Sequence, residues 1–163
     1  MMFNSTKIRK FLDDAQEYAD KESGCKKVAV GSALVINSSY EIVVYGANKT
    51  LPICCKEHEC RRIELYGEDS KNHRLPSDCR AVHSEIDAIS QAASFGMSTK
   101  GATMFITRYP CEACARAIVR AGIKKVCYGR EQEISDETKK IFESGDVIVK
   151  WVKEWKYEDV VEK

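Results

Sequence analysis

Two short motifs constrain the fold of this 163-residue chain more than any other feature. One is His83-Ser84-Glu85, and the other runs from Pro110 to Cys114 with cysteines at Cys111 and Cys114. Each motif lies where an extended or irregular stretch gives way to a helix-forming sequence. The free N–H groups and the positive dipole end of a helix favour a thiolate, which lowers the pKa of Cys111. Cysteines three residues apart project from one helix face, so this pair can bind the same ion.

A zinc ion bound by one imidazole and two thiolates keeps one of its four tetrahedral positions open. That pattern is typical of catalytic zinc, whereas structural sites fill all four positions with protein atoms. We therefore predict that His83, Cys111 and Cys114 bind a catalytic zinc ion. Because two thiolates neutralise the divalent charge, a nearby base is needed to help ionise water, and Glu85 lies two residues from His83. General acid–base assistance of this kind contributes about 10²–10⁴ in rate.

Each motif alone has a simpler explanation. Cys-x-x-Cys occurs in redox pairs and in structural zinc sites, and His-x-Glu occurs by chance in many chains. Their combination in this order, with Pro110 directly before Cys111, matches the signature of zinc-dependent nucleobase deaminases. The alternative from another class is an interaction module that zinc staples together without catalysis. Such a module would explain the abundant Cys and His residues, but it would not explain Glu85.

The charge and hydropathy of the chain exclude several classes of protein. With 26 basic and 25 acidic residues, its net charge of +1 predicts no broad attraction to duplex nucleic acid or to an anionic membrane. No stretch approaches the roughly 18–20 apolar residues of a membrane span, and the N-terminus lacks the apolar region of a secretory signal. We therefore expect a cytoplasmic protein, whose eight cysteines are more often metal ligands or catalytic thiols than disulfides.

Hydrophobic periodicity predicts one domain over residues 1–163, with strands and helices that alternate in its second half. The predicted helices span 6–23, 84–95, 112–121 and 135–144, and the predicted strands span 28–36, 41–45, 102–107, 123–128 and 147–152. Such alternation indicates a parallel sheet with helices on its faces, and the leading hairpin makes the whole sheet mixed. The second helix is predicted to face inward with four residues: Ile86, Ile89, Ala92 and Ala93.

A Cys/His-rich insertion at about residues 50–82 has no regular periodicity. Loops of this length inside a compact domain are either functional or disordered. Cys and His do not promote disorder, so a metal site is the better explanation.

Three runs of sequence resemble the core of deoxycytidylate deaminases. They are residues 24–35, residues 79–89 and residues 101–126. In the second run, the family commonly has His-Ala-Glu where this chain has His83-Ser84-Glu85. The resemblance implies the cytidine deaminase-like fold, an α/β protein built as a three-layer α/β/α sandwich with a mixed sheet of about five strands.

The resemblance also implies the reaction, a hydrolytic removal of the amino group at C4 of a cytosine nucleotide. Deoxycytidylate would yield deoxyuridylate and ammonia, with Glu85 passing protons to ring nitrogen N3 and to the departing amine. The alternative is the same chemistry on cytidine, deoxycytidine, a modified cytidylate or an adenosine in RNA, although near-neutral charge argues against an RNA partner. The resemblance further implies a homo-oligomer, with a hexamer as one form.

Three residues are candidates for contacting the substrate. Asn48 matches a family asparagine that contacts the sugar, although asparagine equally suits a turn that ends a hairpin. Arg108 can hold a phosphate through charged hydrogen bonds, or it can be a solvated charge at a strand end. Lys27 is a further phosphate candidate. Lys49 stands where many family members have glycine, which leaves regulation by dCTP and dTTP open.

The family often carries a second, structural zinc ion, and this chain has cysteines and a histidine at matching places. The candidate ligands are Cys25, Cys54, Cys55, His73 and Cys79. A metal there would fix a loop that buries little apolar surface. The choice among Cys54, Cys55, His58 and Cys60 stays open, and so does a set of reduced cysteines without metal. Cys127, inside an apolar strand, is predicted to be a small core residue.

Overall fold

The computed structural model describes residues 3–25, 27–37, 42–50, 60–67, 79–131 and 135–157. Its helices are α1 (Ser5–Glu22), α2 (Arg61–Tyr66), α3 (Ser84–Ser94), α4 (Glu112–Arg120) and α5 (Asp136–Ser144). Its strands are β1 (Gly31–Asn37), β2 (Ile42–Ala47), β3 (Lys49–Thr50), β4 (Ala81–Val82), β5 (Thr103–Arg108), β6 (Lys125–Arg130) and β7 (Ile148–Trp151). The predicted helices at 6–23, 84–95, 112–121 and 135–144 therefore match α1, α3, α4 and α5 to within a residue or so.

Five strands form one mixed sheet in the order β2-β1-β5-β6-β7. Strand β1 pairs antiparallel with β2 and β5, whereas β5, β6 and β7 run parallel. Helix α1 packs against one face, and α3, α4 and α5 pack against the other. This arrangement confirms the predicted three-layer α/β/α sandwich. Strands β3 and β4 form a separate two-stranded sheet, and β4 lies directly before α3 in the chain.

The sheet separates two apolar clusters because successive strand residues point to opposite faces. On the side of α3 to α5, the cluster contains Met104 and Ile106 of β5 and Val126 of β6. On the side of α1, it contains Phe105 and Cys127. The burial of Cys127 confirms its predicted role as a small core residue.

The first strand begins three residues later than predicted, at Gly31 instead of residue 28. The preceding carbonyl groups bond to Asn48 instead of joining the sheet. Asn48 Nδ2 donates to the Val28 carbonyl at 2.8 Å, and the Asn48 N–H donates to the Val30 carbonyl at 3.1 Å.

The inward face of α3 also differs from the prediction. Ala92 is fully buried and Ile89 packs against the core, as predicted, whereas Ile86 is half-buried, Ala93 is exposed, and Ala88 is fully buried although it was not predicted to be. The reason is a close approach to β2, since a methyl group on Gly46 would lie 2.9 Å from Ala88 Cβ. Only small side chains fit such a close contact, so the larger side chains of α3 lie on either side of it.

The insertion at 50–82, predicted to lack regular structure, contains α2 and the short strand β4. Helix α2 has no buried residue, so it shows no apolar face that periodicity could detect. An ion pair between Glu64 and Arg80 connects α2 to the residue before β4, with 3.1 Å between Arg80 Nη2 and Glu64 Oε2. Much of this segment, including Cys54, Cys55, His58 and His73, lies outside the described residues.

The chain after β7 packs back onto the domain. Trp155 is only 5% exposed, and its Nε1 donates to Asp13 Oδ1 of α1 at 2.8 Å. Its ring lies so close to Gly129 that a methyl group there would sit 2.1 Å from a ring carbon. None of the helices in the described part of the chain has the length and apolar character that a bilayer span requires.

Candidate active site

The starts of α3 and α4 bring the three predicted metal ligands together. His83 precedes the first residue of α3, and Cys111 holds the same position before α4. His83 Nδ1 lies 3.5 Å from Cys111 Sγ and 3.3 Å from Cys114 Sγ. Among the described residues, these three form a cluster whose ligand atoms all lie within 4.8 Å of one another. We call this cluster the ligand trio.

Local sequence explains why the two cysteines face the same point. Pro110 precedes the helix start, where its missing N–H costs no intrahelical bond. The first helical hydrogen bond then runs from the Ala115 N–H to the Cys111 carbonyl at 2.8 Å. One turn of helix places Cys114 over Cys111, with Cys114 buried and Cys111 half-buried.

The protonation chemistry of the trio suits a metal. Without a metal, the pKa of Cys111 falls to about 4, because hydrogen bonds from Cys114 and His83 stabilise its thiolate. The hydrogen bond to Cys111 raises the pKa of His83 to about 10. The pKa of Cys114 rises, because its thiol bonds to Cys111 and is buried. A divalent ion would displace these shared protons and take two thiolates and an imidazole, a ligand set that zinc prefers.

Glu85 lies at the trio, in the first turn of α3. Its side chain is 4% exposed, and its Oε2 accepts a hydrogen bond from Ser84 Oγ at 3.1 Å. Burial raises the pKa of Glu85, and its own backbone N–H and the charge of His83 oppose that shift. Burial that raises the pKa of a carboxyl group is one of the ways in which proteins adapt such groups to general acid–base catalysis.

Contacts with β1 and β2 fix the start of α3. Ser32 Oγ on β1 donates to the Ser84 carbonyl at 2.7 Å. Asp87 Oδ2 accepts from the Ala47 N–H at 3.0 Å and from Gln91 Nε2 at 3.1 Å. The helix that carries Glu85 is therefore anchored on both strands.

Asn48 is 8% exposed and directly precedes β3, the strand that pairs with β4 just before His83. Strands β3 and β4 pair Lys49 with Val82, directly after Asn48 and directly before His83. Asn48 Oδ1 accepts from Ser23 Oγ at 2.6 Å and from the Val30 N–H at 2.9 Å. Among the described residues Nδ2 donates to the Val28 carbonyl, which uses one of its two amide hydrogens. The side chain thus has a structural task as well as the predicted contact with the sugar.

Arg108 is the last residue of β5, at the edge of the sheet where α4 begins. The carboxyl ends of strands form the usual ligand-binding edge of open α/β sheets. In the parallel register, Arg108 is paired with Arg130 of β6, which sequence reasoning missed because only the sheet order brings the two together. Arg130 Cζ lies 5.5 Å from the centre of the Trp155 ring. The third candidate, Lys27, is half-buried, and its N–H donates to Cys25 Sγ at 3.5 Å.

Two of the candidate ligands for a second zinc ion are described, Cys25 and Cys79. A hydrogen bond to His83 lowers the pKa of Cys79. Within the described ranges, neither cysteine belongs to a group of three or more ligands. The other candidates, Cys54, Cys55 and His73, lie outside those ranges.

Comparison with known proteins points to one group of enzymes. A model of the MafB19-like deaminase family matches residues 7–156. The chain is 40% identical over 113 residues to deoxycytidylate deaminase of Mycobacterium phage D29, covering 69% of this chain and 87% of the relative. It is 29% identical over 130 residues to ComE operon protein 2 of Bacillus subtilis, covering 80% of this chain and 63% of the relative. It spans only 54% and 52% of the deoxycytidylate deaminases of Enterobacteria phages T2 and T4.

Among solved structures, dCMP deaminase from cyanophage S-TIM5 in complex with dCMP and dUMP shares the fold. The TM-score is 0.69 at 23% identity, over 93% of this chain and 100% of that one. At that identity the likeness concerns the fold alone. Because the family model covers most of the chain and the mycobacteriophage relative matches two thirds of it, the chain belongs to the MafB19-like deaminase family, as a dCMP deaminase-like member with the cytidine deaminase-like fold.

Proposed function

We propose that this protein hydrolyses the amino group from C4 of deoxycytidylate, giving deoxyuridylate and ammonia. The observation that carries the proposal is the ligand trio of His83, Cys111 and Cys114, with the buried Glu85 in the first turn of the helix that follows His83. Zinc held by the trio would act as a Lewis acid that activates water in its open position.

Glu85 supplies the proton transfers. As water adds at C4, Glu85 takes a proton from the water and delivers it to ring nitrogen N3. When the bond between C4 and the amino nitrogen breaks, Glu85 takes the proton of the new C4 hydroxyl group and passes it to the departing amine, which leaves as ammonia. Its burial supports this role, because desolvation raises the pKa of Glu85 and so makes the carboxyl group easier to protonate.

The choice of a deoxynucleotide as substrate draws on the relatives and on the edge of the sheet. The D29 relative is named for deoxycytidylate, and the S-TIM5 enzyme binds dCMP and dUMP. Arg108 at the carboxyl end of β5 is proposed to bind the phosphate, with Lys27 as a further contact. The remaining amide hydrogen of Asn48 is proposed to bind the sugar.

A second, structural zinc ion is also proposed, with Cys25 and Cys79 as ligands and the others among Cys54, Cys55 and His73. The N–H of Lys27 already donates to Cys25 Sγ, as backbone groups do around metal-bound sulfur. A zinc content near two ions per chain supports this site, and a content near one limits the metal to the ligand trio.

A substrate panel tests the proposed function. Ammonia release is measured with dCMP, CMP, deoxycytidine, dCTP and adenosine substrates, together with the zinc content of the same sample. We expect dCMP to be the best substrate. Best turnover of another pyrimidine or of adenosine would keep the chemistry and overturn the substrate. Bound zinc without ammonia from any of them would favour a non-catalytic module.

The Glu85→Gln variant tests the assigned residue. It keeps the size of the side chain and removes its capacity to exchange protons, so we expect ammonia release to fall by at least about 10²-fold with zinc still bound. The matched control is Glu112→Gln, because Glu112 also lies in the first turn of a helix beside a ligand but bonds to Ser135. Full activity in Glu85→Gln would refute the role.

A further inference from the structure

Ser84, between His83 and Glu85, has a buried hydroxyl group directed at the carboxylate. Its side chain is fully buried, and Ser84 Oγ lies 3.1 Å from Glu85 Oε2. A buried hydroxyl group needs a hydrogen-bond partner, and a carboxylate oxygen can only accept. Ser84 therefore donates to Glu85 in the ionised state.

This contact is unusual for a serine at the start of a helix. Serine there commonly bonds to the backbone of the first turn, which satisfies a free N–H group. Here the position before the helix is His83, which makes no side-chain capping bond, and the serine hydroxyl turns to Glu85 instead.

The backbone beneath the hydroxyl group is fixed as well. Ser32, fully buried on β1, donates to the Ser84 carbonyl at 2.7 Å. A methyl group on Gly46 of β2 would lie 2.1 Å from the same carbonyl oxygen, so β2 also packs closely against this carbonyl group. Ser84 thus has little freedom, and a donor at a fixed place can select one orientation of the carboxylate.

We propose that Ser84 is a positioning residue for Glu85, whose Oε2 it holds so that the other carboxylate oxygen is directed at the reacting ring and water. The inference rests on the proposed deaminase function. A buried carboxylate whose Oε2 is held by Ser84 has a defined orientation, so it needs no reorientation before each proton transfer. Without the hydroxyl group, the terminal torsion of Glu85 has a broad, roughly two-fold distribution.

The test uses Ser84→Ala, which removes the hydroxyl group and keeps the Cβ atom. Loss of one hydrogen bond to a charged group predicts a decrease in kcat of about tenfold or more. KM for dCMP should change by less than about twofold, since substrate binding before the reaction does not use this bond. Ser84→Thr retains the hydroxyl group and should recover most of the rate. Ser90→Ala, at an exposed position of the same helix, is the matched control.

A binding measurement separates positioning from a merely structural effect. A pyrimidin-2-one deoxynucleotide, which resembles the reacting state when it adds water at C4, is titrated by calorimetry alongside dUMP. We expect its Kd to rise about tenfold in Ser84→Ala while the Kd of dUMP stays constant, because only the reacting state uses the oriented carboxylate. A partly unfolded sample would lower the number of sites and leave both Kd values unchanged.

The possible results test the positioning role of Ser84 separately from the proposed deaminase function. Unchanged kcat and unchanged analogue affinity in Ser84→Ala would overturn the positioning role while the deaminase function stands. Equal weakening of the analogue and of dUMP would also overturn it, in favour of a general packing role. If the unaltered protein releases no ammonia from any pyrimidine, the proposed function itself fails, whatever the variants do.

Discussion

The starts of α3 and α4 contribute to the same trio, but they are held in place differently. Helix α4 follows β5 after three residues, and its own sequence, a proline followed by Cys-x-x-Cys, orients both sulfur ligands. Helix α3 follows only the two-residue strand β4. It depends instead on distant partners: Ser32 on β1 and Gly46 and Ala47 on β2.

This difference shows which part of the site is positioned by neighbouring sequence alone. The cysteine pair forms wherever α4 forms, because both ligands belong to one turn. The histidine and the glutamate reach the pair only if α3 docks on β1 and β2 as it does here. Substitutions on the α3 side should therefore affect metal binding and catalysis through docking, whereas those on the α4 side act on the metal directly.

The largest effect is expected from Cys114→Ser, on the α4 side. A serine hydroxyl group is a poor zinc ligand, so bound zinc and ammonia release should both be lost. Metal analysis and a dCMP assay measure this. Cys127→Ala, a cysteine on the opposite face of the sheet, should keep its zinc. A Cys114→Ser protein with full zinc and full activity would contradict the site.

A smaller effect is expected from Gly46→Ala, on the α3 side. The added methyl group would lie 2.1 Å from the Ser84 carbonyl oxygen and 2.6 Å from the Ala88 nitrogen, so α3 must shift. Overpacking of this kind costs about 1–3 kcal/mol of unfolding free energy. We also expect weaker zinc binding, since His83 moves with the helix. Urea denaturation and zinc titration would show this, and a variant as stable as the unaltered protein would refute the docking argument.

The smallest effect is expected at Asp87, which accepts from the Ala47 N–H and from Gln91. Asp87→Ala leaves that backbone group without its acceptor, at a cost of about 1–3 kcal/mol at most. Asp87→Asn keeps an acceptor oxygen and should cost clearly less. Comparing the two by urea denaturation isolates the hydrogen bond, and equal losses would mean that it does not stabilise the docking of α3.

Much of the fold was predictable because its elements show clear periodicity. The predicted mixed sheet and the four long helices are confirmed, since each has an apolar face that buries on folding. Helix α2 was missed because none of its residues is buried. The buried Ala88 of α3 was missed and Ala93 was wrongly placed inside, because periodicity alone does not show which side of a helix packs against the sheet.

The sequence alone predicts which residues bind the metal and which one acts as the acid–base residue, and the structure brings the three predicted ligands together. His83, Glu85, Cys111 and Cys114 stand at helix starts in an order and spacing that few other chemistries require. This information is local, because one turn of helix or one adjacent residue is enough to encode it.

The hydrogen bonds that hold those residues in place depend on the tertiary structure and cannot be read from the sequence. The bonds from Ser32 to the Ser84 carbonyl, from Ser84 to Glu85 and from the Ala47 N–H to Asp87 depend on β1 and β2 lying against α3. The pairing of Arg108 with Arg130 likewise depends on the order of strands in the sheet. Hydrogen bonds act only at about 3 Å, so contacts between residues far apart in the chain exist only once packing has brought them together.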